Sequence, residues 1–330
     1  MILDDVYKLA DDLGLEVDKL KLDGQWHRVP VIGKKKSNKS GSFCLSEITL
    51  KSGDTVVVGL LCNWSSGREE RLTLDDVVGA TSDEIDEARR RARAAAEAGK
   101  KEKEKLQTET AKRAEEIWNR LPESGMSHYL GNKKVLNYDV RFSRGSIVVP
   151  ARDVDGKLWT LQYINAEGEK KFLTGGAKRG RFHFIKCPAG THYCFGVAEG
   201  YATAASLFDA MAQRFSIAVA FDAGNLLPVG EALRSRYPDS RIIFFADHDI
   251  YKGYPQALIR ARDASPAVRE QIARLARVRP DVAVEVVADD DARLTDRDKH
   301  FNTGVTRALL AAAAVDGDVV IPRFDKEAGQ

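Results

Sequence analysis

Three acidic words in the C-terminal half of the chain each follow a short apolar run: Glu199-Gly200 after residues 193–198, Asp222-Ala223-Gly224-Asn225 after 217–221, and Asp247-His248-Asp249 after 241–246. Side chains alternate along an extended segment, so Asp247 and Asp249 point the same way and His248 the opposite way. Two parallel carboxylates favour a hard divalent cation. Magnesium takes one or two protein carboxylates, keeps several waters and accepts phosphate oxygens, which makes it the expected cofactor of an open acidic edge, with manganese as a substitute. Gly200 lets the chain turn at once into a helix whose amino end adds N–H groups for an anion, leaving Glu199 to face the metal. Such an edge is suited to phosphoryl transfer. A single strand-end acid or an isolated DxD is common in surface turns, so the weight lies in the combination. His248 reads equally well as a phosphate contact and as a packed or solvent-facing ring.

What must position these acids is an alternation of strand and helix. Helical stretches at 202–213 and 229–236 separate the three runs, which implies βαβ units and a parallel sheet. Right-handed crossovers bring the carboxyl ends of the strands to one rim, where ligand sites of open α/β sheets form. Asp222 and Asn225 stand on that rim and are expected to contact nucleotide or nucleic acid. Upstream, Gly175-Gly176 permits close backbone approach beside Lys171, Lys178, Arg179 and Arg181, which suits phosphate neutralisation, although a basic surface hairpin would look the same.

The rest of the sequence supplies a scaffold. Its 330 residues suffice for two or three domains, and 43% of them are hydrophobic. With 51 basic and 49 acidic residues the net charge is +2, so attraction to nucleic acid must come from local clusters. Residues 1–80 read as a small β-rich module behind a short amphipathic helix. Its Lys34, Lys35 and Lys36, flanked by Trp26 and Trp64, suit the phosphates and bases of a single strand as well as they suit a solvated hairpin tip. Thr81 and Glu84 form a capping box that opens a long charged helix or helix pair over 81–120, with Gly99 as a candidate break. Pairs such as Glu97 with Lys101 support it, and Arg89, Arg90, Arg91 and Arg93 read first as a solvated face. Residues 121–190 read as a second β-containing module, with short apolar strands at 146–149 and 158–164. Residues 191–330 read as the α/β domain that carries the acids and is expected to be catalytic, and within it the stretch of about 250–301 is expected to hold a Ser265-capped helix over 266–277 and a strand over 282–287.

Asp4, Asp5, Asp11 and Asp12 break the first twenty residues, which excludes a secretory signal core, and no later stretch is long enough to span a membrane. Cys44, Cys62, Cys187 and Cys194 lack CxxC spacing and fit free thiols in a reducing cytosol. A partial metal site from His27, Cys44 and Cys62 is the minor alternative to satisfied side chains there.

The words Ala198-Glu199-Gly200-Tyr201-Ala202-Thr203-Ala204, Ala220-Phe221-Asp222-Ala223-Gly224-Asn225-Leu226 and Phe245-Ala246-Asp247-His248-Asp249 resemble the Toprim domains of phage and plasmid DNA primases. Gln162-Tyr163-Ile164, Lys171-Phe172-Leu173-Thr174-Gly175-Gly176 and Ser127-His128-Tyr129-Leu130 resemble the amino-terminal half of that primase core, and the stretch 23–28 with Asn63-Trp64 resembles its small leading module. The resemblance implies an α/β fold: a Toprim-type parallel sheet with flanking helices, preceded by an α+β primase-core subdomain, a long charged helix and the β-rich module. It implies Glu199, Asp247 and Asp249 as the catalytic, metal-holding residues, with Glu199 as general acid or base and the Asp247–Asp249 pair binding the metal. Asn302-Thr303-Gly304 looks like the family's Asn-Pro-Gly helix start with Thr in place of Pro, which makes the stretch of about 250–301 an insert relative to the family. The sequence stops soon after the apolar strand 319–322, before a further acidic word such as the family often carries. Asp289, Asp290 or Asp291 could substitute, an exposed acidic turn being the plainer account.

The expected activity is that of a DNA primase, a nucleotidyltransferase that uses magnesium and nucleoside triphosphates to make short primers on a single-stranded DNA template. It would act in the cytosol of a bacterial host for a phage or plasmid. No GxxxxGK[ST] word is present, so a replicative helicase would be a partner in trans. The rivals are a Toprim nuclease or topoisomerase-like phosphodiester chemistry, and a non-catalytic DNA-binding replication adaptor, against which the intact acids speak.

Overall fold

A computed structural model of the chain describes residues 3–33, 39, 41–50, 53–63, 68–73, 81–249, 256–294 and 301–323, with backbone only at 82, 84, 85, 87–89, 91, 92, 94–96, 98, 99, 102, 103 and 292. Lys34, Lys35, Lys36, Trp64 and the side chains of Glu84, Arg89 and Arg91 thus lie outside the described residues. The chain divides into two compact units, one up to Lys105 and the other from Leu106 on.

In the first unit, helix α1 (Leu3–Asp12) lays Val6 and Ala10 against a four-stranded antiparallel sheet in the order β1 (His27–Val29), β2 (Gly41–Thr49), β3 (Thr55–Asn63), β4 (Arg68–Leu72). The period-two alternation of this stretch buries Phe43, Leu45, Val57 and Leu61 on one face with Leu13 and Leu15. His27 is held by both carboxylate oxygens of Asp23, at 2.8 and 3.0 Å, and the Cys44 thiol donates to the Gly24 carbonyl at 3.2 Å. No group of three metal-capable side chains forms among the described residues, so His27, Cys44 and Cys62 do not assemble into a metal site.

Helix α2 (Ser82–Arg120) runs unbroken through Gly99, and Glu97 meets Lys101 at 2.8 Å. In the second unit its final turns bury Ala114 and Trp118 against Val148, Leu158 and Leu161 of an antiparallel sheet. That sheet comprises β5 (Arg141–Ser143), β6 (Ser146–Arg152), β7 (Leu158–Ile164) and β8 (Lys170–Phe172), and the short helix α3 (His128–Lys133) precedes it.

The second sheet of this unit has the order β15-β12-β10-β11-β9. Strands β10 (Cys194–Ala198), β11 (Ser216–Val219), β12 (Arg241–Phe245) and β15 (Asp318–Val320) are parallel, and β9 (His183–Ile185) is an antiparallel edge. All five residues of β10 are buried, as expected for a parallel strand covered on both faces. Helices α5 (Leu226–Arg236) and α7 (Thr303–Ala314) share one core, with Leu226, Val229, Val305 and Leu309 around Phe244. Helix α4 (Tyr201–Ala210) shares the other, in which Tyr201 and Phe208 pack with Ile147, Val149 and Ile164 of the antiparallel sheet. Residues 121–190 and 191–323 therefore share a core inside one unit.

The insert is a βαβ element. Strand β13 (Gln256–Arg260), which the sequence pattern did not single out, pairs in parallel with β14 (Ala283–Val287) across helix α6 (Pro266–Val278), and Ser265 caps α6 by accepting from Val268 N–H at 3.3 Å. Ala257, Ile259, Val268 and Leu275 belong to the same core as Phe244, so the insert is built into the body of the unit. Asp289 accepts from the Arg262 N–H, and Asp291 is paired with Arg293, which holds its carboxyl down at about 2. Among the described residues no helix is long and apolar enough to cross a membrane.

Candidate active site at the rim of the parallel sheet

Strand pairing sets the acids side by side. Ala198 is opposite Phe245 in the β10–β12 ladder, so Glu199 and Asp247 leave adjacent strands at the same rim. The amino end of α7 meets them there. Gly304 N–H approaches Asp249 Oδ2 at 3.4 Å, and a Cβ placed on Gly304 would lie 3.1 Å from Glu199 Oε1 and 2.3 Å from the Asp247 carbonyl oxygen. Only a residue without a side chain admits this approach of the helix to the Asp247 main chain. Glu199 Oε1 is buried, while Glu199, Asp247 and Asp249 as whole residues are half-buried. The helix amino end is a favourable electrostatic neighbour for such negative charge.

Asp222 leaves the third strand, β11, at the same rim and takes the ammonium of Lys178 in an ion pair. The two groups nominated separately for phosphate and nucleic acid thus neutralise each other. Asn225 is 2% exposed and wholly engaged with backbone: its oxygen accepts from Gly180 N–H at 2.7 Å, and its amide donates to the carbonyls of Arg181 at 2.9 Å and Ala220 at 2.8 Å. It ties the 175–181 loop to the end of β11. Arg181 stacks 4.5 Å over Trp159 and, chiefly through burial, has a lowered pKa, whereas Arg179 is exposed.

The glycine pair serves packing. A Cβ on Gly175 would meet Thr110 Oγ1 at 2.8 Å, and one on Gly176 would meet Thr160 Oγ1 at 2.1 Å, so it is protein that the loop approaches closely. Lys171 shares a face of the β7–β8 pair with Tyr163, its side chain is 82% exposed and it stands 3.9 Å from Glu169. Lys170 is on the opposite face. It borders a cleft of about 270 Å³ whose walls include Tyr129, Lys133, Lys170, Gly200, Thr203 and Asp247. The Lys170 ammonium lies 3.4 Å from the position of a Cβ on Gly200. Lys133, Lys170 and Thr203 were not singled out from the sequence.

Tyr201, within the Glu199-Gly200 word, is a structural pin. Its buried hydroxyl donates to the Leu136 carbonyl at 3.0 Å and accepts from Tyr138 N–H at 2.7 Å, and burial pushes its pKa well above the ordinary range. His183 on β9 is 3% exposed and hydrogen-bonded at 2.8 Å to the Tyr138 carbonyl, and burial brings its pKa down to about 4. His248 turns away from its acidic neighbours to bond Asn302, and burial lowers its pKa too.

No family model matches the chain. It is 31% identical over 264 residues, 75% of its length, to DNA primase TraC of Escherichia coli, and 32% identical over 240 residues to a second Escherichia coli protein of that name. The resemblance to plasmid primases therefore extends beyond the short acidic words. The chain spans 23% and 16% of the lengths of those two proteins. The primase fragment of the bacteriophage T7 primase-helicase protein superposes with a TM-score of 0.26 at 14% identity, covering 45% of this chain and 57% of that one. A bacteriophage T7 lagging-strand DNA polymerase structure with primase domains gives 0.27 at 17%, covering 51% and 80%. Scores this low establish no shared architecture.

Proposed function

We propose that this chain carries the catalytic core of a Toprim-type DNA primase, which joins nucleoside triphosphates into short primers on a single-stranded DNA template. The observation that carries the proposal is the convergence at Gly304 of the Glu199 carboxylate, the Asp247 main-chain carbonyl and the Asp249 carboxylate, brought there by the ends of the adjacent strands β10 and β12. The likeness to DNA primase TraC supports it. The donor set fits magnesium, which needs only one or two protein carboxylates and keeps its waters. Among the described residues no three His, Cys, Asp or Glu side chains group closely enough to hold an ion, Glu199, Asp247 and Asp249 included.

Asp247 and Asp249 would hold the ions, with manganese as a substitute. Bound magnesium supplies charge neutralisation to the triphosphate and to the attacking and leaving oxygens. Glu199, beside them, accepts the proton of the primer 3′-hydroxyl or helps retain a metal. Lys170 and Lys133 face the cleft and neutralise the phosphate oxygens. Trp26, 47% exposed in the first unit, offers a surface on which a template base stacks, and a helicase acting in trans would open the duplex.

The test is incubation with magnesium, single-stranded DNA and labelled nucleotides, beside Glu199→Gln and Asp247→Asn. New oligonucleotides made by the wild type and lost in both variants are the expected result. Shortened template would identify a nuclease, and no reaction an adaptor. Equal yield from the variants would reject these acids as the site.

A further inference from the structure

One short hydrogen-bonded path joins the acid pair to the insert. Asn302 is 1% exposed. Its side-chain oxygen caps α7 by accepting from Val305 N–H at 3.2 Å, its amide nitrogen lies 2.8 Å from His248 Nδ1, and its main-chain N–H donates to the carbonyl of Gln256, the first residue of β13, at 2.5 Å. With the oxygen committed to the cap, the amide end must face His248. The ring then accepts on Nδ1 and carries its proton on Nε2, an assignment dictated by the network. One turn on, Thr306 Oγ1 donates to the Leu258 carbonyl at 3.4 Å, so the start of α7 is fastened to β13 twice.

We propose that Asn302 is a positioning residue for the acid pair. It holds His248, the middle residue of Asp247-His248-Asp249, and so fixes the direction in which the two flanking carboxylates project, with β13 as the anchor. Without this hydrogen bond the 247–249 main chain, which has already left strand β12 after Phe245, is free to shift and to carry both carboxylates with it. The inference rests on the assignment of Asp247 and Asp249 as metal ligands. It also gives the insert a purpose, since the β13–α6–β14 element becomes the fixed body against which the acid pair is held.

Asn302→Ser keeps the capping oxygen but is too short to reach His248, and His248→Ala removes the acceptor while leaving the cap intact. Manganese binding to the full chain, followed by the electron paramagnetic resonance of the free ion, reads the acids without requiring catalysis. Each variant is expected to bind manganese about tenfold more weakly, in the range found when a partner that orients a metal ligand is lost. The double variant should be no weaker than the singles, because all remove one hydrogen bond. Affinity within about twofold of wild type in either variant, or losses that multiply in the double variant, would overturn the proposal. If Asn302→Ser does not fold, His248→Ala decides by the same measure. A wild-type chain that binds manganese but makes no primer would remove the primase reading alone, whereas one that binds no manganese would remove this inference.

Discussion

Gly304→Ala separates packing from helix propensity at the centre of the site. Alanine is the better helix former by about 1 kcal/mol, so propensity alone predicts a slightly more stable protein. The added methyl would sit 2.3 Å from the Asp247 carbonyl oxygen and 3.1 Å from Glu199 Oε1, and essentially no real Cβ contact lies under 3.0 Å. Reaching even that limit requires a movement of 3.0 minus 2.3, about 0.7 Å, and the obstructing atom is backbone that no rotamer change removes. Either α7 rises or the Asp247–Asp249 stretch retreats. A misplacement of about 1 Å costs on the order of 10²-fold in rate, so about 0.7 Å scales to roughly 25-fold. Overpacking costs about 1–3 kcal/mol, which cancels or exceeds the propensity gain. Primer synthesis at saturating magnesium, read beside thermal melting, should show the rate falling by roughly 25-fold while the melting temperature holds or drops. A variant that melts higher than wild type and retains its rate would refute the wedge.

Three further outcomes follow from the geometry. The folded pKa of His183, about 4, lies below its ordinary 6.5, so the fold binds this proton less well than the unfolded chain does. That contribution, on the order of 3 kcal/mol, is complete above pH 6.5 and is lost as pH falls from there towards 4. Urea titrations of His183→Gln should show a shallower acid-side slope than wild type, and parallel slopes would contradict the assignment. Lys170→Ala should raise the nucleotide KM about tenfold in steady-state synthesis, the scale of one charged hydrogen bond, while Lys171→Ala changes it little; equal effects would place neither side chain at the cleft. Asn225→Ala should lower unfolding free energy by about 3 kcal/mol, since Gly180 N–H and the Arg181 and Ala220 carbonyls lose their partner. A loss under about 1 kcal/mol would mean that water replaces the amide.

The acids at the rim were legible because strand-and-helix alternation puts carboxyl-terminal strand ends on one edge whatever the details of packing. The N-cap role of Ser265 was legible for a similarly local reason, whereas the helix start at Asn302 was legible only through the family resemblance. Choosing between Lys170 and Lys171 was not, because a strand of three residues takes its facing from its neighbour. The pairing of Ile164 with Lys170 turns Lys170 towards the parallel sheet, and no local feature records this. The glycine pair misled for a related reason: what approaches it comes from Thr110 and Thr160, distant in sequence. Asn225 looked like a rim residue because it is one, but its three partners are backbone groups that only the folded loop presents. Strand β13 did leave a trace, a polar-bounded apolar run from Gln256 to Arg260, yet its partner β14 lies across a whole helix.

The core that α4 shares with β6 and β7 has a consequence for dissection of the molecule. A fragment starting at Thr191 would retain every acid, but the wall formed by Tyr201, Ala205 and Phe208 would lose Ile147, Val149 and Ile164 and face water. Such a piece would clump before it could be assayed, and native-state hydrogen exchange should find β6 and β10 opening in one step.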